Sequence, residues 1–117
     1  MLFRSKGFEQ TPGRRRLVGL SKAGHLAFSD LCLIGAPQGG LVQIAIDAGI
    51  EVNPLIAKLA KDGCGPDSLP AKRGLEIIGA ATSAALEAEL QCNGAMRAWL
   101  DGVGQRYPEI GEFAAGE

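Results

Sequence analysis

Apolar residues recur at helical spacing along most of the chain, which predicts a mainly helical protein. The longest such stretch begins near Pro70 and continues to about Trp99. Proline suits the first turn of a helix because the N–H that it lacks would have no partner there. Small residues fill 79–85 and let another helix approach closely. Asn93-Gly94 lies inside the stretch and predicts a break or a bend.

Shorter apolar segments precede this helix. Residues 41–48 are mostly apolar and end at Gly49, a residue that often follows a helix. Asn53-Pro54 predicts an N-cap and the first residue of another helix. The apolar face of that helix is formed by Leu55, Ile56, Leu59 and Ala60. The apolar run at 31–34 predicts one more short helix, although these side chains suit a strand equally well.

Near the N-terminus, bulky residues flank a turn signal. Residues 14–20 and 25–28 lie on either side of Ser21-Lys22-Ala23-Gly24, where glycine can supply a positive φ. We therefore predict a β-hairpin over 14–28. An isolated hairpin is marginal in water, so this one should pack on the helical body or pair with another chain.

The length of 117 residues fits one domain. We predict an α+β fold, mostly helical, with an N-terminal β-hairpin followed by about four helices. Its expected parts are a loosely attached leader at 1–13, the hairpin at 14–28, a helical body at 29–107 and a flexible acidic tail at 108–117.

The net charge of −1 hides a strongly basic N-terminal segment, in which Glu9 is the only acidic residue before residue 26. On a strand, Arg14 and Arg16 would share one face while Arg15 takes the other. Such a basic arm can dock on the chain's own acidic body, on an acidic partner or on a polyanion. The candidate partner-binding residues are Arg14, Arg15, Arg16 and Lys22.

Three cysteines, Cys32, Cys64 and Cys92, are too far apart in sequence for a paired redox or zinc motif. Their odd number favours reduced thiols, and hence a cytoplasmic protein, over an extracellular disulfide framework. The apolar regions are interrupted by charges before they reach the roughly 18 residues of a membrane span, so we expect no membrane partner.

The residue types that catalysis requires do not gather in the sequence. His25 is the single histidine and lies at the predicted turn. No familiar metal-ligand spacing occurs, and the glycines of 35–40 are not followed by the lysine of a phosphate-binding loop. We therefore expect no enzymatic activity, no cofactor, no metal and no small-molecule substrate.

One local pattern suggests DNA binding. Residues 44–50, with Leu55 five positions later, resemble the helix-turn-helix signature, and the resemblance covers about twenty residues, 42–60. It implies a second helix that enters the major groove of DNA. Pro54 and Glu51 depart from the pattern, because proline falls within the recognition helix and glutamate would face phosphates. The corresponding nucleic-acid-binding residues are Val52, Asn53, Lys58 and Lys61.

Two functions from different classes follow. The first is a small non-enzymatic protein–protein interaction or assembly protein, either a homo-oligomer or a subunit of a larger particle, whose basic N-terminal arm docks on an acidic surface. The alternative is a helix-turn-helix DNA-binding regulator that uses residues 42–60.

Overall fold

The computed structural model describes residues 2–117, with side chains from Lys6 onwards. Within them the chain is α+β and mostly helical, which confirms the predicted class. The elements are α1 (Leu2–Gln10), β1 (Arg15–Leu20), α2 (Leu41–Asp47), α3 (Pro54–Leu59), α4 (Ala71–Leu90), α5 (Gly94–Asp101) and β2 (Ile110–Gly116), with short 3-10 turns at Ala36–Gln38 and Val103–Gln105.

The longest helix, α4, begins at Ala71, directly after Pro70, where it was predicted. It ends at Leu90 rather than near Trp99, because the Asn93-Gly94 signal breaks the helix. Cys92 takes a left-handed backbone conformation with a φ of 52°. The side chain of Asn93 then caps α5 by accepting hydrogen bonds from two backbone N–H groups of its first turn, at 3.1 and 3.2 Å.

The two strands pair antiparallel, and the partner of β1 comes from the far end of the chain. Arg15 lies opposite Gly116, and Leu20 lies opposite Ile110 after an irregularity that follows Gly19. The fold therefore contains the predicted two-stranded pairing, but the second strand is not 25–28. The hairpin over 14–28 and the flexible tail over 108–117 are both wrong.

The reason lies just beyond the predicted turn. The turn forms, with Lys22 at a φ of 57°. The chain then follows the loop after α3 instead of returning along β1, and the backbone N–H of Leu26 donates to the carbonyl of Asp62 at 3.0 Å. Small residues at 114–116 weaken the strand signal of β2, which is why its sequence resembles a tail.

Two other local predictions need correction. Helix α1 occupies most of the predicted leader at 1–13. Residues 31–34 form turns rather than a helix, although the N–H groups of Leu33 and Ile34 both bond to the carbonyl of Asp30. The next residue, Gly35, is left-handed with a φ of 69°, so the helical turn stops there.

The chain divides into two compact units. The central unit is Lys22–Thr82, and its buried apolar residues are Ala27, Val42, Leu69, Ala71 and Ile77. Gly74 on α4 allows close packing there, because a Cβ at this position would lie 2.9 Å from the carbonyl oxygen of Ala27. The terminal unit combines the chain up to Ser21 with Ser83–Glu117, and it buries Ala84, Ala88, Leu100 and Val103.

Among the described helices, none has both the length and the apolar character required to cross a lipid bilayer.

Candidate functional site

Two of the predicted partner-binding arginines form ion pairs inside the terminal unit. Strand alternation places Arg14 and Arg16 on one face of the sheet, as predicted. Arg14 pairs with Glu89 at 3.2 Å, and Arg16 pairs with Asp101 at 2.8 Å and with Glu89 at 3.7 Å. Arg97 approaches the same Glu89 at 3.8 Å. The basic arm therefore docks on acidic residues of its own chain.

Burial distinguishes the two arginines. The side chain of Arg16 is only 14% exposed, whereas that of Arg14 is 44% exposed. An exposed pair contributes little because water screens it and its side chains remain mobile. A mostly buried guanidinium costs more when it loses its carboxylate. Arg16 is consequently the residue that joins β1 to α4 and α5 most strongly.

The other two predicted partner-binding residues, Arg15 and Lys22, lie in different parts of the structure. Arg15 lies on the opposite face of β1, where its guanidinium is 5.1 Å from the ring centre of Phe8. It also donates hydrogen bonds to the carbonyls of Gly13 and Glu117, at 3.2 and 3.3 Å. Lys22 belongs to the central unit and is exposed. Arg15 thus stabilises the sheet and its ends, and Lys22 is a solvated turn residue.

The cysteines differ from the prediction. Cys32 and Cys64 form a disulfide, with their Cα atoms 5.2 Å apart, and Cys92 is a free, exposed thiol. The expectation that all three are reduced is wrong, because folding brings together two residues separated by 32 positions in sequence. The disulfide closes a loop of the central unit that contains α2 and α3.

Two cavities lie in the described part of the chain. One of about 230 Å³ adjoins the disulfide and is lined mainly by apolar residues and glycines, with Lys61 as its charged residue. The other, of about 490 Å³, is lined by Arg14, Arg16, Arg97, Asp101 and residues 115–117. Neither lining contains a histidine, serine or threonine. The arginines of the larger cavity already have carboxylate partners, so an anionic ligand there would compete with internal ion pairs.

Histidine, cysteine and carboxylate side chains are not clustered as a metal site in the described part of the chain. Among the described residues, no group of three or more histidine, cysteine or carboxylate side chains is arranged to hold a metal ion. His25 is exposed, and its backbone N–H, not its ring, donates to the carboxylate of Asp62 at 3.1 Å.

The central unit exposes many large apolar side chains. Residues 22–82 bury only three apolar side chains larger than alanine: Val42, Leu69 and Ile77. They expose eleven large ones: Phe28, Leu31, Leu33, Ile34, Ile44, Ile46, Ile50, Leu55, Ile56, Leu59 and Leu75. Scattered exposed apolar residues are normal, but eleven large ones in 61 consecutive positions, against three buried, is a high proportion.

Helix α3 shows this exposure of large apolar side chains most clearly. Leu55, Ile56 and Leu59 are 66%, 60% and 49% exposed, whereas Ala57 and Ala60 are the half-buried residues of this segment. The helix therefore turns its small residues toward the chain and its large residues toward solvent. The spacing of these residues predicts one apolar stripe, but periodicity alone does not reveal which side the rest of the chain covers. We call Leu55, Ile56 and Leu59 the α3 stripe.

The predicted nucleic-acid-binding residues lie in or next to α3, and only some of their side chains are exposed without another structural role. Asn53 caps α3 by accepting a hydrogen bond from the N–H of Leu55 at 2.8 Å. Val52 is half-buried, and Lys58 and Lys61 are exposed. Since α3 begins at Pro54, Val52 and Asn53 precede the helix that would enter a groove. The exposed side of that helix is also largely apolar, unlike a surface that contacts phosphates.

Comparisons of the chain with models of protein families, with curated proteins and with solved structures find no match.

Proposed function

We propose that this chain is a small non-enzymatic interaction or assembly protein whose docking surface is the exposed apolar part of the central unit. One observation carries this proposal: large apolar side chains of residues 22–82 are exposed far more often than they are buried. Covering one such side chain contributes roughly 1.5–3 kcal/mol when burial is complete. A protein partner or a second copy would therefore gain substantial free energy by packing there.

The proposed docking surface replaces the basic arm expected from the sequence. Arg14 and Arg16 already contact Glu89 and Asp101, so an external acidic partner would have to displace these internal carboxylates. The apolar surface needs no such exchange.

The cellular compartment bears on where such a partner would be found. A cytoplasmic location stays a prediction, and the bond between Cys32 and Cys64 argues against it. Structural disulfides persist in oxidising compartments and are rare in the cytosol.

The experiment compares three forms of the full chain in affinity capture from the native host. These are the unchanged protein, the double variant Leu55→Asp/Ile56→Asp, and the matched control Leu86→Asp/Leu90→Asp, whose sites are also exposed but lie in the terminal unit. Each captured protein is then purified and its binding measured directly. We expect a partner, foreign or a second copy, whose binding is lost only in the α3 double variant. Equal binding by all three forms, or no binding by the unchanged protein, would refute the proposal.

The helix-turn-helix alternative predicts a different result. A labelled DNA duplex should then bind in a salt-dependent manner, and Lys58→Ala/Lys61→Ala should weaken that binding. We expect no such binding, because the α3 stripe lies on the exposed side of the helix.

A further inference from the structure

We propose that a second copy of this chain covers the α3 stripe, with the two α3 helices packed antiparallel about a twofold axis. This inference rests on the proposed function and specifies the partner. Its basis is the combination of the stripe with the charges at its two ends.

The two ends of α3 carry opposite charges. Glu51 lies three residues before the helix, and Lys58 and Lys61 lie in and just after its last turn. All three side chains are exposed. Among the described residues, no oppositely charged group pairs with any of them. The arginines Arg14, Arg16 and Arg97, in contrast, all have carboxylate partners.

This charge order is self-complementary in only one orientation. In a twofold interface the same patch serves both copies, so residue i of one faces residue j of the other and the reverse. Antiparallel packing places Glu51 of each copy beside the basic end of its neighbour's α3. Parallel packing would place like charges together, which opposes association. The neighbouring Asp62 lowers the charge of the basic end but leaves it positive, because Lys58 and Lys61 together outnumber this one carboxylate.

The apolar centre of the patch fits the same arrangement. Leu55, Ile56 and Leu59 lie between the charged ends, and antiparallel packing brings the stripe of each copy onto that of the other. Lys58 lies beside the stripe at helical spacing, so its aliphatic stem can cover the rim while its ammonium remains in water. A helix of six residues forms a small interface, which predicts a dissociation constant in the micromolar range.

Sedimentation equilibrium of the oxidised full chain from about 1 to 500 μM tests the proposal, since this range brackets micromolar association. We expect a monomer–dimer equilibrium that Leu55→Asp weakens by roughly 30-fold or more. Aspartate is favourable in the first turn of a helix, so this variant should keep the helical circular dichroism. Leu86→Asp is the matched control and should leave the dimer unchanged.

Charge reversal tests the orientation. Glu51→Lys and Lys61→Glu should each weaken the dimer by roughly tenfold at low salt. An equimolar mixture of the two variants should associate more tightly than either variant alone, because position 51 of each copy then faces an opposite charge at position 61 of the other. Asp67→Lys makes the same charge change as Glu51→Lys, but in an exposed loop outside the patch, and should have no effect.

A monomer at every concentration, or a dimer that Leu55→Asp does not weaken, would overturn the self-association. A dimer sensitive to Leu55→Asp without recovery in the mixture would overturn the antiparallel arrangement. The proposed function would survive either result if the affinity capture still found a foreign partner lost only in the α3 double variant.

Discussion

Reducing the Cys32–Cys64 disulfide should remove a large part of the chain's stability. The bond joins residues 32 positions apart. For a loop of this length, the chain-entropy relation gives a stabilisation of about 4 kcal/mol at 25 °C, through restriction of the unfolded chain. Small domains are stable by only about 5–15 kcal/mol, so reduction should lower the free energy of unfolding by a quarter or more. The melting temperature should fall by roughly 15 °C.

Urea unfolding followed by helical circular dichroism, with and without a dithiol reductant, measures this loss. Cys32→Ser/Cys64→Ser should behave like the reduced protein, and Cys92→Ser should match the oxidised one because its thiol is free. Hydrogen exchange locates the effect: amides of α2 and α3, inside the closed loop, should lose more protection than those of α5. A change below about 1 kcal/mol on reduction would refute the account, because the closed loop would then not restrict the unfolded chain.

Three further changes separate contributions within the fold, each read from urea unfolding curves. Arg16→Ala should cost about 1–3 kcal/mol and Arg14→Ala less than about 0.5, because the Arg16 side chain is mostly buried and contacts two carboxylates, whereas that of Arg14 is 44% exposed and contacts one; equal losses would contradict this ranking. Gly74→Ala should destabilise the protein, since the added Cβ would lie 2.9 Å from a carbonyl, whereas Gly79→Ala has nothing within 4 Å and should stabilise α4 by about 0.5–1 kcal/mol. Stabilisation by both glycine replacements would show that the close packing at Gly74 is not restrictive. Asn93→Ala should cost about 1 kcal/mol through loss of the cap on α5, and an unchanged unfolding curve would disprove that role.

Local signals predicted the starts of α3 and α4 correctly, for physical reasons. Asn53-Pro54 fixes the start of α3 through side-chain capping and the fixed φ of proline, and Pro70 directly precedes the first residue of α4. Such interactions involve neighbouring residues, so the sequence contains them directly. The break at Asn93 follows the same rule, because its cap hydrogen bonds reach only two and three residues along the chain.

Contacts between residues far apart in sequence could not be predicted from such local signals. The partner of β1 could not be chosen from strand propensity, because 110–116 contains small residues that also suit a loop. The odd number of cysteines required one to remain unpaired but left the other two undetermined. Strand alternation correctly grouped Arg14 with Arg16, whereas the identity of their carboxylate partners depends on how α4 and α5 pack.

The α3 stripe illustrates the same limit of prediction from sequence. Helical spacing grouped Leu55, Ile56 and Leu59 with Ala60 on one apolar face, but such a face is buried only if something in the chain lies opposite it. Here Ala57 and Ala60 face the chain instead. The sequence therefore revealed the composition of the surface, and the fold was needed to show that it is exposed.

The pairing of β1 with β2 also constrains the order of events during synthesis. A ribosome releases residues 15–20 long before it has made 110–116, so the first strand must wait unpaired while residues 21–109 are made. The segment 22–82 makes its main contacts within itself and can close earlier. Residues 110–116 thus complete the pairing only after the intervening residues have been made, and until then the nascent chain carries an open β-edge.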